Sequence, residues 1–159
     1  MWDDVYVVRS SDLAKLRAEP PHGTPAEQVL GKVFEEEYSF ANHIHDHAYN
    51  AKYVPRDFIR KVAARLRAEG AYSRDLVARA YRAYAALLRG GVVGEKPRTR
   101  FRRLDGDLFV AAQPDLFNFE DLRFYEVKMY PIEEYARAQA GVFAWVLGEP
   151  VVLVGMVEG

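Results

Sequence analysis

Asp115, Glu126 and Lys128 are the residues in this chain whose types and spacing suit catalysis. Asp115 follows a proline, ten residues intervene before Glu126, and Lys128 stands two further on. In a strand, side chains alternate faces with period two, so Glu126 and Lys128 project from one face. The run that carries them, Leu122 to Tyr130, is otherwise rich in apolar and aromatic residues, as a buried strand is. Charges in such a strand need partners, because an unpaired buried ion is costly, and Asp115 is the obvious third member. Two carboxylates with a lysine hold a divalent cation and position a water beside a phosphate. The competing reading is a structural salt bridge at the end of an exposed strand.

The neighbouring elements must position these groups. Leu108–Gln113, Asp115–Phe119, Leu122–Tyr130, a helix and Val151–Val157 read as β-β-β-α-β, with Glu120-Asp121 as turn chemistry between the second and third runs. Arg98–Leu104 reads as the first strand of the sheet, closed by an Asp105-Gly106 hairpin. Asp107 adjoins that turn, but Asp115 is the better ligand candidate, since its spacing to Glu126 leaves one short hairpin between them. Pro131 stops the third strand and begins a helix, Ile132–Leu147, with Glu133 and Glu134 at its positive end. Its face of Tyr135, Gln139, Val142, Phe143 and Val146 packs on the sheet. Gln139 is then either a satisfied core amide or a side chain aimed into the cleft.

Helices dominate the first part of the chain. After an extended Val5–Val8, Ser10 or Ser11 caps a short helix, Asp12 to Ala18, stopped by Pro20-Pro21. Thr24, Pro25 and Glu27 start the next, whose stripe is Val29, Leu30, Val33, Phe34, Tyr38 and Ala41. Of Glu35, Glu36 and Glu37 within it, Glu37 lies on the stripe's edge. His43, His45 and His47 follow, a weak metal-binding pattern more often met as surface or packed histidine. Helices Arg56 to Ala68 and Arg74 to Arg89 come next, the latter capped by Ser73, and Tyr81, Tyr84, Leu87 and Leu88 read as core.

One domain is the economical organisation for 159 residues without a linker or repeat: a helical part over 1–97 and a sheet with the catalytic motifs over 98–159. No apolar run reaches membrane-spanning length, and Asp3 and Asp4 stand where a signal peptide would be basic. A cytoplasmic protein without membrane association is expected. Cysteine is absent, which excludes disulfides and thiolate metal sites. The net charge of −1 conceals an asymmetry, since residues 52–103 hold most of the Lys and Arg and few Asp or Glu. Such a block either tracks a phosphate backbone or is the solvated face of Arg-rich helices. Arg98, Arg100 and Arg102 are its candidates for phosphate contact.

Pro114-Asp115 followed by Glu126-Val127-Lys128 resembles the signature of the PD-(D/E)xK nuclease superfamily. Gln139-Ala140-Gly141-Val142-Phe143 is similar to the Q-x-x-x-Y motif of its RecB-like branch, with Phe for Tyr. Val7–Leu16 resembles the Ser-Asp-Leu opening of CRISPR-associated exonucleases of that branch, and Gly31-Lys32-Val33-Phe34-Glu35 their G-x-x-H-E helix. Two departures accompany the resemblance. The cysteines that hold an iron–sulfur cluster in those exonucleases are missing, so no such cluster is expected, and Phe34 stands in place of the metal-ligating His.

The resemblance implies a restriction-endonuclease-like α/β core, α-β-β-β-α-β, after a helical N-terminal half, with one mixed sheet of four or five strands. It implies that Asp115, Glu126 and the Val127 carbonyl hold Mg²⁺ or Mn²⁺, that Lys128 orients the water or stabilises developing charge, and that Gln139 positions substrate or Lys128. Glu37, one turn beyond Phe34, is the expected replacement for the lost His. The implied activity is hydrolysis of DNA, single-stranded or branched, with protein partners in a repair or CRISPR complex. The alternative is a catalytically inactive nuclease fold that binds nucleic acid or serves as a complex subunit.

Overall fold

The computed structural model of the chain describes residues 5–20, 23–47, 55–92 and 94–156, with side chains described outside 39–56. Among the described residues the fold is mixed α/β, with two mixed sheets and five helices. In chain order these are β1 (Tyr6–Arg9), α1 (Ser10–Ala14), α2 (Pro25–His47), α3 (Pro55–Ala68), α4 (Arg74–Arg89), β2 (Gly94–Glu95), β3 (Arg100–Asp105), β4 (Leu108–Ala112), β5 (Leu116–Asn118), β6 (Arg123–Val127), α5 (Glu134–Leu147) and β7 (Val151–Val154). Among the described residues no helix is long and apolar enough to cross a membrane.

The helix starts follow local chemistry. Thr24 and Glu27 form a reciprocal capping box at the head of α2, and Ser73 Oγ accepts the Leu76 amide of α4. Phe34 and Tyr38, four apart on α2, present one face to Phe58 of α3 and Tyr84 of α4. Phe58 and Tyr84 stack with centroids 4.3 Å apart, and the buried Tyr38 hydroxyl donates to the Val92 carbonyl at 2.6 Å. Each such ring contributes about 1.5–3 kcal/mol through burial. Tyr84 and Leu87 are core as expected, whereas Tyr81 and Leu88 are exposed. Helix α2 runs on through the histidine cluster to His47, whose side chains lie outside the described residues.

The expected single sheet is instead two, of three strands in the order β1-β4-β3 and four in the order β2-β5-β6-β7. The break falls at Pro114, which is fully buried between β4 and β5. Proline has no amide hydrogen, so the β4 ladder stops at Ala112 and a new one begins at Leu116. β1 joins the first sheet parallel to β4, and the Ser10 hydroxyl fastens α1 to it by donating to the Ala111 carbonyl at 2.6 Å. Helix α1 therefore starts at Ser10 and ends at Ala14, shorter and earlier than the Asp12–Ala18 expectation.

Two cores result. The second sheet packs on α2, α3 and α4 through Leu116, Tyr125 and Met129, while Phe143 and Val146 of α5 meet Val110 and Ala112 of the first. Gly94 faces the Phe117 carbonyl so closely that a Cβ would overlap it, which draws β2 tight against β5. Leu122, expected in a strand, sits in the β5–β6 turn at φ 58°, its amide donating to the Asn118 carbonyl at 2.9 Å.

Candidate active site

β5 and β6 run antiparallel with Leu116 opposite Tyr125, so the next position pairs Asp115 with Glu126 on one face. The side chains extend the ladder past the end of β5. The Asp115 amide donates to Glu126 Oε1 at 3.1 Å, and the Val127 amide donates to Asp115 Oδ2 at 2.8 Å. Glu126 is only 4% exposed, one residue before the end of β6 and paired with Leu153 of β7.

Lys128 lies one residue past β6, but its amide donates to the Val154 carbonyl at 2.8 Å, so strand geometry persists. Its side chain thus shares the face of Glu126, with Nζ 3.1 Å from Glu126 Oε2. The crossover from β6 through α5 to β7 brings Gln139 above the same point, and Lys128 Nζ donates to its Oε1 at 2.7 Å. Gln139 is therefore neither buried amide alone nor free in the cleft: it fixes the ammonium. Its other flank borders a cavity of about 220 Å³ of mixed lining, where Arg9, Ser11, Thr99 and Gln113 meet Ala111, Ala112 and Phe143.

The electrostatics follow from this enclosure. Asp115 retains partial exposure as a residue, but burial of its carboxyl, then the negative charges of Glu126 and Glu35, push it well above the usual carboxylate range. The Val127 amide acts the other way and is outweighed. For Lys128, burial favours the neutral amine, yet Glu126, Tyr130 and Asp115 together raise its pKa. Burial also raises the Tyr130 and Tyr135 hydroxyls, against the opposing pull of Lys128.

Glu37 stands elsewhere. Its Oε1 accepts from Arg65 Nη1 of α3 at 3.3 Å, beside the Arg65–Glu36 pair at 2.7 Å. The stripe explains why: Phe34, 2% exposed, points into the aromatic core, so its Glu37 flank meets α3 and its Glu35 flank meets β2. Glu35 is the α2 carboxylate that borders a small cavity with Asp115 and Val127. Its Oε1 lies 2.5 Å from Lys96 Nζ. Burial works against the Lys96 charge, but Glu35 and then Asp115 raise its pKa overall. Neither Glu35 nor Lys96 is flagged by the sequence pattern, because their meeting depends on how α2 rotates over β2.

Two carboxylates and a neighbouring carbonyl are hard oxygen donors of the kind that suit Mg²⁺ or Mn²⁺. Among the described residues no group of three or more His, Cys, Asp or Glu side chains forms a ready cation cage. The fit is therefore a two-carboxylate one, with Glu35 adjacent and held by Lys96.

The arginines separate. Arg98 is exposed ahead of β3, Arg100 lies 5.6 Å from the Phe124 ring centroid, and Arg102 stacks at 4.4 Å over Trp145 while Nη1 donates to the Trp145 carbonyl at 2.6 Å. Phe143, in the place of the motif's tyrosine, is buried core. No family model matches the chain, and no curated protein or solved structure matches it.

Proposed function

We propose that this chain is a metal-dependent nuclease that hydrolyses DNA phosphodiester bonds on a restriction-endonuclease-like core. The observation that carries this reading is the linked set Asp115, Glu126, Lys128 and Gln139, two opposed carboxylates and an ammonium held by both a carboxylate and an amide. The sequence of two paired strands, crossover helix and parallel strand over β5, β6, α5 and β7 supports the assignment of the core.

Asp115, Glu126 and the Val127 carbonyl would hold Mg²⁺ or Mn²⁺, which when bound polarises a phosphate and lowers the pKa of water. Burial, then the charges of Glu126 and Glu35, raise the Asp115 pKa, and a divalent cation would offset the repulsion between the two adjacent carboxylates. Lys128 stays protonated among its neighbours and would offer a fixed positive charge to the five-coordinate phosphoryl transition state. Gln139 holds that ammonium in place, so little reorganisation is needed when charge develops.

Cleavage of single-stranded, double-stranded and branched DNA, with and without Mn²⁺, tests the reading. Lys128→Ala should lower cleavage by at least about a hundredfold, in the range for removing one preorganised donor. Unchanged cleavage in that variant would sink the mechanism. A second reading, a nuclease fold that binds nucleic acid as a subunit of a repair or CRISPR complex without cutting it, draws on the lack of a third free carboxylate at the site among the described residues, since Lys96 holds Glu35. Tight binding with no Mn²⁺-dependent cleavage of any substrate would favour it.

A further inference from the structure

The three-stranded sheet has two unlike faces. Val110 pairs with Val8 on one side and Arg102 on the other, and that face is covered by Phe143 and Val146 of α5. The alternate residues share the opposite face: Val7 beside Phe109, Phe109 beside Arg103, and Ala111 between Arg9 and Phe101. Phe101 is 57% exposed and Val7 52%, while Phe109 is half-buried. Arg9 and Arg103 are exposed as well, with the Arg103 guanidinium 5.6 Å from the Phe109 ring centroid. Arg9 also meets Asp12 at 3.5 Å, an exposed pair that water and salt weaken.

An ordinary open sheet face is polar, whereas this one interleaves phenylalanines with arginines. Phe101 and Phe109 are diagonal neighbours across the β3–β4 ladder, roughly 7–8 Å apart, so each ring can take its own base. Aromatic rings that stack bases beside cations that track phosphates form the usual surface for single-stranded nucleic acid. At its Arg9–Ala111 end the face runs into the cavity that Ser11, Thr99, Gln113 and Gln139 line together with Ala112 and Phe143, and Gln139 holds Lys128.

We propose that this face is a stacking platform for single-stranded nucleic acid, with bases on Phe101 and Phe109, phosphates beside Arg9 and Arg103, and the strand led through the cavity towards Gln139 and Lys128. The direction of the strand rests on the nuclease reading; the binding does not. In a duplex the base faces are already stacked, so the rings discriminate against it.

Binding of a fluorescent oligothymidylate in EDTA, followed by anisotropy, tests this without cleavage. Phe101→Ala should weaken binding about five- to a hundredfold, the range for losing one base–aromatic stack, and Phe101→Trp should retain it. Arg103→Ala should flatten the salt dependence by about 0.7, the slope for one phosphate contact on a single strand. Tyr81→Ala, which removes an exposed ring on α4, should change nothing. Duplex of the same length should be insensitive to Phe101→Ala. Equal losses for duplex and single strand, or no loss for either, would overturn the platform. So would intact oligonucleotide affinity in a Phe101→Ala protein that sediments as a monomer where the native chain is a dimer, since the face would then join two copies. Native protein that binds the oligomer but never cleaves it with Mn²⁺ would remove the nuclease reading and leave the platform standing.

Discussion

Glu35 Oε1 and Lys96 Nζ lie 2.5 Å apart, tying α2 to the segment after β2 at the edge of the Asp115 site. The Glu35 charge already acts on Asp115, and Lys96 partly offsets it. Lys96 thus competes with any cation that the carboxylates hold.

Removing that competitor should tighten metal binding. Lys96→Ala should lower the Mn²⁺ Kd measured by calorimetry several-fold, about 1 kcal/mol for one screened charge at close range. Adding Glu35→Ala should cancel the gain, because the released carboxylate is then gone. Glu37→Ala should leave Kd unchanged, as its partner is Arg65. A Kd that responds to Glu37 and not to Glu35 would reverse this assignment.

The contrast between Glu35 and Glu37 marks where sequence patterns stop being informative. Asp115, Glu126 and Lys128 could be placed together because a strand has period two and one short turn sets the hairpin register. A helix stripe is broader. Phe34 and Tyr38 mark a buried direction, yet two other helices and a sheet compete for it, and the flank that meets β2 is decided by long-range packing. The parallel pairing of β1 with β4 is equally remote from any local pattern, since about a hundred residues separate the partners. Pro114 was legible as a residue but not as the divider of two sheets, for a proline also suits the start of a strand. Leu122 misled outright: a leucine beside aromatic residues reads as strand, and only the Asn118 turn imposes its positive φ.

The pH dependence of stability isolates Asp115. Its carboxyl is raised by burial and then by Glu126 and Glu35, so the folded protein holds that proton more tightly than the unfolded chain. Its contribution to stability is full below the unfolded value of about 3.9 and is lost as pH rises through the folded value. Glu27 has the opposite sign, because its hydrogen bond with Arg79 lowers its pKa, so its contribution is lost as pH falls. Asp115→Asn keeps an acceptor for the Val127 amide and cancels only the first effect. In EDTA the variant should therefore melt at a higher temperature than the native chain at neutral pH, with the gap closing towards pH 4, about the unfolded value. Mn²⁺ should raise the native melting temperature and leave that of Asp115→Asn nearly unmoved. Parallel melting curves across the range would remove the raised pKa assigned to Asp115.

The three arginines expected to hold phosphates should behave differently from one another. Arg102 stacks on Trp145 and donates to its carbonyl in the last turn of α5, so its loss strips a helix end of a partner. Arg102→Ala should cost about 1 kcal/mol of stability, the usual net worth of a hydrogen bond, with a modest effect on binding. Arg98 stands exposed before β3, next to Thr99 at the mouth of the cavity that Gln139 lines, where a backbone entering from the sheet face would pass. Arg98→Ala should leave the melting temperature alone and reduce the salt slope of single-strand binding by about 0.7. Arg100, held over Phe124, should fall between the two. Equal shifts in slope from all three, with no change in stability, would mean that the Arg102 contacts to Trp145 give way to phosphate when nucleic acid binds.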